Sequence, residues 1–240
     1  MFGDQIFANL ALLLACYGYI ILVILVSGKI SGLFQVSPKS ARKFLHVMIG
    51  NLPFVIPFFS YNSFPLNFPF FVAAPFILVT LLASPHSPSK HVSEKLRGLS
   101  NLTEKGHSLG LFFYAVSYTI LAAVFSYQPQ VIAAGILPMA YGDASAALIG
   151  EKYGKRRYRI LASKSLEGSM TMFMVSFVSL VISLPFFSDS YYFVYNDAIF
   201  TSLCVASAAV IVENISPLGS DNLTVPILSS LTLLILRGGF

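Results

Sequence analysis

A run of charged residues and glycines follows an apolar segment and extends from Tyr141 to Ser169. Its first charged residue is Asp143, and an ionisable group at membrane depth is costly enough to indicate a functional site. The basic side chains that follow are Lys152, Lys155, Arg156, Arg157, Arg159 and Lys164. Lys and Arg supply the positive charge that a polyphosphate needs, and glycine lets the backbone approach a ligand closely. The segment therefore predicts a phosphate-binding site that includes Gly142, Gly150 and Gly154.

Two plainer interpretations of this segment stay open. A basic loop between two membrane spans commonly sets the membrane topology and contacts anionic lipids. Asp143 could instead be a buried, hydrogen-bonded structural group. The charges alone do not separate these alternatives from a phosphate site.

The segment ends in Lys164-Ser165-Leu166-Glu167-Gly168-Ser169, where the next apolar span begins. A helix N-terminus at this point would direct backbone N–H groups toward an anion. Ser165 is therefore a candidate phosphate-binding residue. Glu167, like Asp143, is a candidate for orienting or deprotonating an attacking hydroxyl group.

Two further carboxylates lie at the edges of a short turn near the C-terminus, Glu213 at the end of one span and Asp221 at the start of the next. Together with Asp143 they predict a Mg²⁺ site, because Mg²⁺ prefers oxygen ligands. Capping of a helix by Asp221 is the alternative.

A third polar group precedes the second apolar span. Arg42 and His46 are four residues apart and share a face on a helix, with Lys43 beside them. These side chains either contact phosphate or extend to lipid headgroups.

The elements that must position these residues are membrane spans. The chain has 240 residues, of which 56% are hydrophobic and 10% charged, with a mean hydropathy of +0.77, and this composition excludes a soluble globule. Apolar stretches of spanning length occur at 6–26, 44–60, 68–83, 108–126, 130–149, 168–188, 197–215 and 223–236. We predict a single polytopic membrane domain over 1–240, all-α, with seven or eight transmembrane helices. The prolines at 53, 57, 69, 75 and 138 predict that some of these helices are kinked or broken.

The basic residues predict the orientation of these spans. Fourteen of the 15 Lys and Arg residues fall in three loops around 29–43, 90–105 and 152–164, each separated from the next by a pair of spans. Because cytosolic loops hold the basic residues, all three loops and the candidate site are expected at the cytosolic edge. The membrane would be the plasma membrane of a prokaryote or an internal membrane of a eukaryote.

These residues form an ordered set that resembles the polyprenol kinase family, which includes dolichol kinase, phytol and farnesol kinases and CTP-dependent diacylglycerol kinase. The set consists of Arg42-Lys43-x-x-His46, Gly142-Asp143-x-x-Ala146-x-x-x-Gly150-x-x-x-Gly154, Lys164-Ser165-x-Glu167-Gly168-Ser169 and Glu213 with Asp221-Asn222-Leu223-x-Val225-Pro226. The related phosphatidate cytidylyltransferases carry a longer Asp-rich block with a Gly-His-Gly-Gly-type motif, which this chain lacks. The resemblance therefore favours phosphoryl transfer over nucleotidyl transfer.

The resemblance implies a kinase that transfers the terminal phosphate of CTP, or of ATP, to an isoprenoid alcohol such as phytol, farnesol, geranylgeraniol or dolichol. It implies catalytic roles for Arg42, Lys43 and Asp143, with Mg²⁺ as cofactor. The nucleotide would lie against Gly142, Gly150, Gly154, Lys152, Lys155, Arg156, Arg157, Lys164, Ser165 and His46. The expected partners are a lipid alcohol and a nucleotide, and not nucleic acid; the oligomeric state stays open.

Three other functions remain as alternatives: a phosphatidate cytidylyltransferase, a CTP-dependent diacylglycerol kinase and a membrane transporter. A transporter would place its ionisable residues near the bilayer midplane. Here they are expected at the cytosolic edge, which favours an enzyme.

Overall fold

The computed structural model of the protein describes residues 2–33, 37–88, 91, 96, 109–161, 163–187, 195–217 and 219–238. The chain divides into two compact units, Met1–Tyr127 and Gln128–Phe240. We call them the N-terminal unit and the C-terminal unit and describe each by itself. The expected single domain over 1–240 stays a prediction.

The N-terminal unit is helical. Its elements are α1 (Phe2–Leu33), α2 (Pro38–Ile49), a 3-10 helix (Leu52–Phe58), α3 (Phe68–Ala83) and α4 (Gly110–Phe125). Two of these helices begin at polar caps: the side chain of Ser37 accepts a hydrogen bond from the Ser40 N–H group, and Asn67 accepts one from Phe70. The second basic loop, with Lys90, Lys95, Arg97 and Lys105, lies outside the described residues.

Proline interrupts the span expected over 44–60. Helix α2 ends at Ile49, and a 3-10 helix that contains Pro53 and Pro57 follows. Proline has no N–H group to continue an α-helix, so the predicted break is confirmed and the stretch is not one continuous helix. Pro75, in contrast, lies inside the uninterrupted helix α3.

The core of the N-terminal unit joins the four α-helices described above. Its buried side chains are Val23, Ala41, Leu45, Ala83 and Leu111. Two tyrosines of α1 add hydrogen bonds to neighbouring backbone, since the hydroxyl of Tyr17 donates to the Phe71 carbonyl at 2.8 Å and that of Tyr19 to the Met48 carbonyl at 2.6 Å.

The C-terminal unit is a helical bundle with one small hairpin. Its elements are α5 (Pro129–Leu137), a π-helix (Pro138–Asp143), α6 (Ala144–Tyr153), β1 (Arg157–Arg159), β2 (Ser163–Ser165), α7 (Leu166–Phe186), α8 (Tyr195–Ile215) and α9 (Asp221–Leu236). The two antiparallel strands correct the all-α prediction. Their physical cause is the extended backbone at Gly154, which ends α6 and leaves the polar run that follows to pair with β2.

Helix α5 occupies the centre of this unit. Each of its nine residues is buried, and the helix packs against α7 and α9. The outer helix α7 instead exposes an apolar residue at every fourth position. These residues are Leu166, Met170, Met174, Val178, Ile182 and Phe186. Residues four apart share one helix face, so α7 presents an apolar stripe of the kind that faces lipid.

Within the described residues, four helical segments are long and apolar enough to cross a membrane. They are Gly3–Lys29, Pro129–Tyr153, Leu166–Phe186 and Asp197–Ile215. Three shorter apolar helices accompany them: Phe68–Ala83, Gly110–Phe125 and Asp221–Leu236. This pattern is that of a helical membrane protein, and seven or eight crossings stay a prediction.

Candidate active site

Lys164 and Glu213 form an ion pair at one end of the C-terminal unit, where the amine donates to the Glu213 carboxylate. Lys164 extends from β2, and Glu213 lies near the end of α8. The Glu213 side chain is only 5% exposed and that of Lys164 24% exposed. The pair is thus largely removed from water, where charge interactions are stronger.

The carboxylates of Asp143 and Asp221 also affect the pKa of Lys164. Burial of the Lys164 amine opposes its charged form. The carboxylate of Glu213 favours that form, and those of Asp143 and Asp221 do so more weakly. Together the carboxylates outweigh burial and raise the pKa of Lys164 above its ordinary value. Three carboxylates thus act electrostatically on one amine, and that of Glu213 contacts it directly. All four residues were predicted from the sequence as site residues, and the structure places them within electrostatic reach of one another.

Asp143 owes its position to the π-helix that begins at Pro138. Proline removes a backbone donor, and π-helical turns are frequent at functional sites. The π-helix ends at Asp143, whose side chain is buried. Gly142 lets this turn pack closely on α7, because a Cβ there would lie 2.1 Å from the Oγ of Ser176 and 3.2 Å from the Met172 carbonyl oxygen.

The β1–β2 hairpin carries Lys164 to the cluster. Tyr158 and Lys164 are cross-strand partners, so both side chains lie on one face of the hairpin. The hydroxyl of Tyr158 donates to the Oδ1 of Asn214 at 2.7 Å and is hydrogen-bonded to Ser169. The hairpin thus bonds to consecutive residues of α8, Glu213 and Asn214. The sequence analysis missed Tyr158 and Asn214, although the alternation in Arg157-Tyr158-Arg159 was a signal for a strand with one inward side chain.

Ser165 and the glycines form the joint between α6 and α7. The side chain of Ser165 caps α7 by accepting the Gly168 N–H group at 3.1 Å. A Cβ at Gly150 would lie 2.9 Å from the Ser165 Oγ, and one at Gly154 would lie 2.7 Å from that atom and 2.2 Å from the Gly150 carbonyl oxygen. The close approach that these glycines permit is therefore between protein segments. A role in ligand binding stays a prediction.

Glu167 holds the backbone before the hairpin. Both of its carboxylate oxygens accept the Arg156 N–H group at 3.3 Å, and the Leu166 N–H group donates to the Arg156 carbonyl at 2.9 Å. These bonds give Glu167 a positioning role, because they hold the backbone at Arg156. Its predicted part in proton transfer is untested.

The remaining basic residues of this region are exposed. They are Lys152, Lys155, Arg156, Arg157 and Arg159. Lys152 lies over the ring of Tyr153, 5.1 Å from its centroid. Exposed Lys and Arg side chains beside a polar cluster can bind an anion that arrives from water.

Arg42, Lys43 and His46 lie on α2 in the N-terminal unit. They are 3%, 7% and 1% exposed, which does not fit side chains that extend outward to headgroups. The His46 ring packs on that of Tyr114 with centroids 4.9 Å apart. That these residues share a site with Asp143 stays a prediction.

The acidic cluster fits Mg²⁺ in donor type and charge. Among the described residues, no three His, Cys, Asp or Glu side chains form a group that could hold a metal ion by themselves. Mg²⁺ commonly binds through one or two carboxylates together with substrate phosphates. Glu213 is already paired with Lys164, which leaves Asp143 and Asp221 as carboxylates for a metal ion. This number fits Mg²⁺ that is also bound by substrate phosphates, and it does not fit a site made wholly by the protein.

The fold and the site thus define a helical membrane protein with a buried acidic cluster beside a basic hairpin. Part of the chain is similar to known enzymes. It is 40% identical over 147 residues to the phytol kinase of Synechocystis sp., a match that covers 58% of this chain and 60% of that protein. It is 29% identical over 133 residues to the probable chloroplastic phytol kinase 1 of Oryza sativa, covering 54% of this chain and 42% of that protein.

A third relative acts on another lipid. The chain is 27% identical over 136 residues to the CTP-dependent diacylglycerol kinase 1 of Saccharomyces cerevisiae, which covers 50% of this chain and 47% of that protein. No family model and no solved structure matches the chain. The chain therefore spans between about two fifths and three fifths of these relatives. Over the matched region the chain is thus similar to phytol kinases and to a diacylglycerol kinase, the kinds of enzyme that the residue pattern resembles.

Proposed function

We propose that the protein is a membrane lipid kinase that transfers the terminal phosphate of CTP to an isoprenoid alcohol of the phytol type. The observation that carries the proposal is the cluster of Asp143, Glu213 and Asp221 around Lys164, next to an exposed basic hairpin. Phosphoryl transfer asks a protein mainly to position its reactants and to neutralise charge, and this arrangement provides both signs of charge.

The names of the relatives support the choice of donor and acceptor. The yeast relative is named for its dependence on CTP, and the cyanobacterial and plant relatives are named for phytol. The phosphates of CTP would bind Lys155, Arg156 and Arg157 from the water side, with Lys152 at the end of α6. Lys164 lies deeper, beside the carboxylates, where an ammonium group would contact the phosphate being transferred.

In the transfer step, the oxygen of the alcohol forms a bond to the γ-phosphorus. The bond between that phosphorus and the β–γ bridging oxygen breaks, and CDP leaves with the electron pair. We assign the hydroxyl proton to the carboxylate of Asp143, since Glu167 already accepts the Arg156 N–H group. Bound Mg²⁺ would supply charge neutralisation on the phosphates, with Asp143, Asp221 and Glu213 as the protein oxygens nearest to it.

The proposal is tested with the purified protein in detergent, Mg²⁺, γ-labelled CTP or ATP, and phytol, farnesol, geranylgeraniol, dolichol or diacylglycerol. We expect labelled phosphate in an isoprenoid alcohol, with CTP the better donor. Asp143→Asn should lower the rate by at least about 100-fold, whereas Asp197→Asn, which changes an exposed carboxylate in the first turn of α8, should not. Wild-type activity in a folded Asp143→Asn protein would remove Asp143 from the mechanism.

Diacylglycerol is the second candidate acceptor, and the yeast relative favours it. Label in diacylglycerol and in no isoprenoid alcohol would establish that function instead. CDP-lipid formed from phosphatidate and α-labelled CTP, with no labelled alcohol, would overturn phosphoryl transfer in favour of nucleotidyl transfer.

A further inference from the structure

An apolar cavity lies within the N-terminal unit, among α1, α2, the 3-10 helix, α3 and α4. Its empty volume is about 490 Å³, including space open to its mouth. Its walls are aliphatic and aromatic, with Ile20, Leu45, Val72 and Phe76 on different helices. Such walls fit a hydrocarbon chain and offer nothing to a charged group.

Three side chains of the lining carry a polar group. The hydroxyl of Thr80 donates to the Phe76 carbonyl at 2.6 Å, and that of Tyr114 donates to the His46 carbonyl at 3.4 Å. Tyr118 differs: its side chain is buried, and its hydroxyl has no hydrogen-bond partner among the described residues. Buried hydroxyl groups are normally hydrogen-bonded, so this one calls for a partner.

The unpartnered hydroxyl belongs to Tyr118, the last residue of α4 that lines the cavity. Tyr118 follows Tyr114 by one helical turn and shares its face. Side chains on a helix lean toward its N-terminus, so the phenol of Tyr118 extends over the turn that contains Tyr114. The Tyr114 ring in turn packs on that of His46, one turn beyond Arg42 on α2.

We propose that this cavity binds a long-chain alcohol, whose hydrocarbon lies among the apolar walls and whose hydroxyl is hydrogen-bonded to Tyr118. The inference rests on the proposed kinase function, because an alcohol of this kind is its proposed substrate. One spare hydroxyl in an otherwise apolar lining matches a single-chain alcohol. Diacylglycerol has two chains and two ester groups, and a phospholipid has a charged headgroup, so neither fits this lining as well.

Binding is measured apart from catalysis, with a C20 isoprenoid alcohol that carries a photoreactive diazirine on its chain. The full-length protein in detergent is irradiated, and the labelled peptides are identified by mass spectrometry. We expect label on the cavity segments of α3 and α4 and loss of that label when unlabelled phytol is added. Label that phytol does not displace, but phospholipid does, would make the cavity a site for bulk lipid and overturn the proposal.

Two substitutions on α4 test the volume of the cavity. Ala115 lines it, so Ala115→Phe should fill it and reduce both photolabelling and phosphorylation of phytol at least about tenfold. Ala123 lies two turns further along the same helix, is also half-buried and does not line the cavity, so Ala123→Phe is the matched control. Equal effects of the two variants would contradict an acceptor site here.

Tyr118→Phe tests the hydroxyl. It should raise the KM for the alcohol about five- to tenfold and leave the KM for CTP unchanged. Because the hydroxyl is unsatisfied, its removal should leave the melting temperature of the unliganded protein unchanged or higher and weaken only ligand binding. A residue with a purely structural role would not weaken ligand binding in this selective way. An unchanged KM for the alcohol would remove Tyr118 from the site.

The outcomes also separate this inference from the proposed function. Photolabelling in the cavity without phosphorylation of any alcohol would leave the cavity as an alcohol site and remove the kinase activity. Phosphorylation of phytol that Ala115→Phe and Tyr118→Phe do not alter, with label elsewhere, would keep the kinase and overturn the cavity as its acceptor site.

Discussion

Lys164 and Glu213 form an ion pair although 49 positions separate them in the sequence. The pair joins the hairpin to the end of α8 and lies within the electrostatic reach of Asp143 and Asp221. A buried pair of this kind contributes little stability compared with an apolar replacement, but loss of one partner leaves an uncompensated charge. Its retention beside two further carboxylates therefore fits a functional role.

Lys164→Met should destabilise the protein by about 3 kcal/mol, because it leaves the Glu213 carboxylate buried without its cation. The double variant Lys164→Met/Glu213→Gln should regain most of that loss and remain without kinase activity. Thermal unfolding followed by far-UV circular dichroism measures the first effect and transfer of label to phytol the second. Lys29→Met, which changes an exposed lysine at the end of Gly3–Lys29, is the control. Full activity in the double variant would show that Lys164 serves only to hold the hairpin.

The raised pKa of Lys164 predicts how the ion pair responds to alkaline pH. Because the folded-state pKa exceeds that of the unfolded chain, near 10.4 for lysine, the stabilisation is fully present below that value and is lost as the pH rises through the folded-state pKa. The difference in melting temperature between the wild type and Lys164→Met should thus be constant from about pH 8 to pH 10 and shrink above. A difference that shrinks already between pH 8 and pH 9 would contradict a raised pKa.

Much of the site could be predicted because its chemistry is visible in single residues. Asp143 and Glu213 each lie near the end of an apolar span, and the cost of charge in lipid indicates that they face protein and not lipid. Pro138 likewise predicted the irregular turn before Asp143, which is a π-helix.

The hairpin could not be predicted in the same way. Its strands have three residues each, and six basic residues mask the alternation that places Tyr158 inward. The glycines were predicted to admit a ligand, which stays a prediction, and Gly150 and Gly154 also admit the side chain of Ser165. Spacing alone does not tell whether a backbone approaches a ligand or another part of the protein.

Gly154→Ala tests whether close packing at the joint between α6 and α7 controls the hairpin. The added Cβ would lie 2.2 Å from the Gly150 carbonyl oxygen and 2.8 Å from the Ser165 Cβ, so backbone must move. We expect a loss of stability of about 2 kcal/mol and a higher KM for CTP. Gly18→Ala is the matched control, since a Cβ at position 18 meets nothing within 4 Å. Unchanged stability of Gly154→Ala would show that the joint is looser than these distances indicate.

Tyr158→Phe tests how the hairpin is held against α8. The substitution removes the hydrogen bonds to Asn214 and Ser169 and should cost about 1–2 kcal/mol. Trypsin should then cleave faster after Arg157 and Arg159, because the hairpin opens more often. Tyr153→Phe, at an exposed ring next to the same loop, is the control for cleavage. Equal cleavage rates in the two variants would argue that the hairpin is held by Lys164 alone.

The arrangement of the carboxylates predicts that Mg²⁺ binds together with the nucleotide and not before it. Glu213 is paired with Lys164, and the described residues form no group of three metal-binding side chains, so phosphate oxygens must complete the coordination. Millimolar Mg²⁺ alone should leave the melting temperature unchanged, whereas Mg²⁺ with CTP at about 100 times its Kd should stabilise the protein by about 2.7 kcal/mol. Asp143→Asn and Asp221→Asn should each reduce that stabilisation, and Asp197→Asn should retain it. Asp221 also accepts the Asn222 N–H group in the first turn of α9, and asparagine can preserve that contact, so a loss in Asp221→Asn would reflect the charge and not this hydrogen bond. Stabilisation by Mg²⁺ without CTP would instead mean that the carboxylates rearrange into a metal site of their own, with Lys164 released from Glu213.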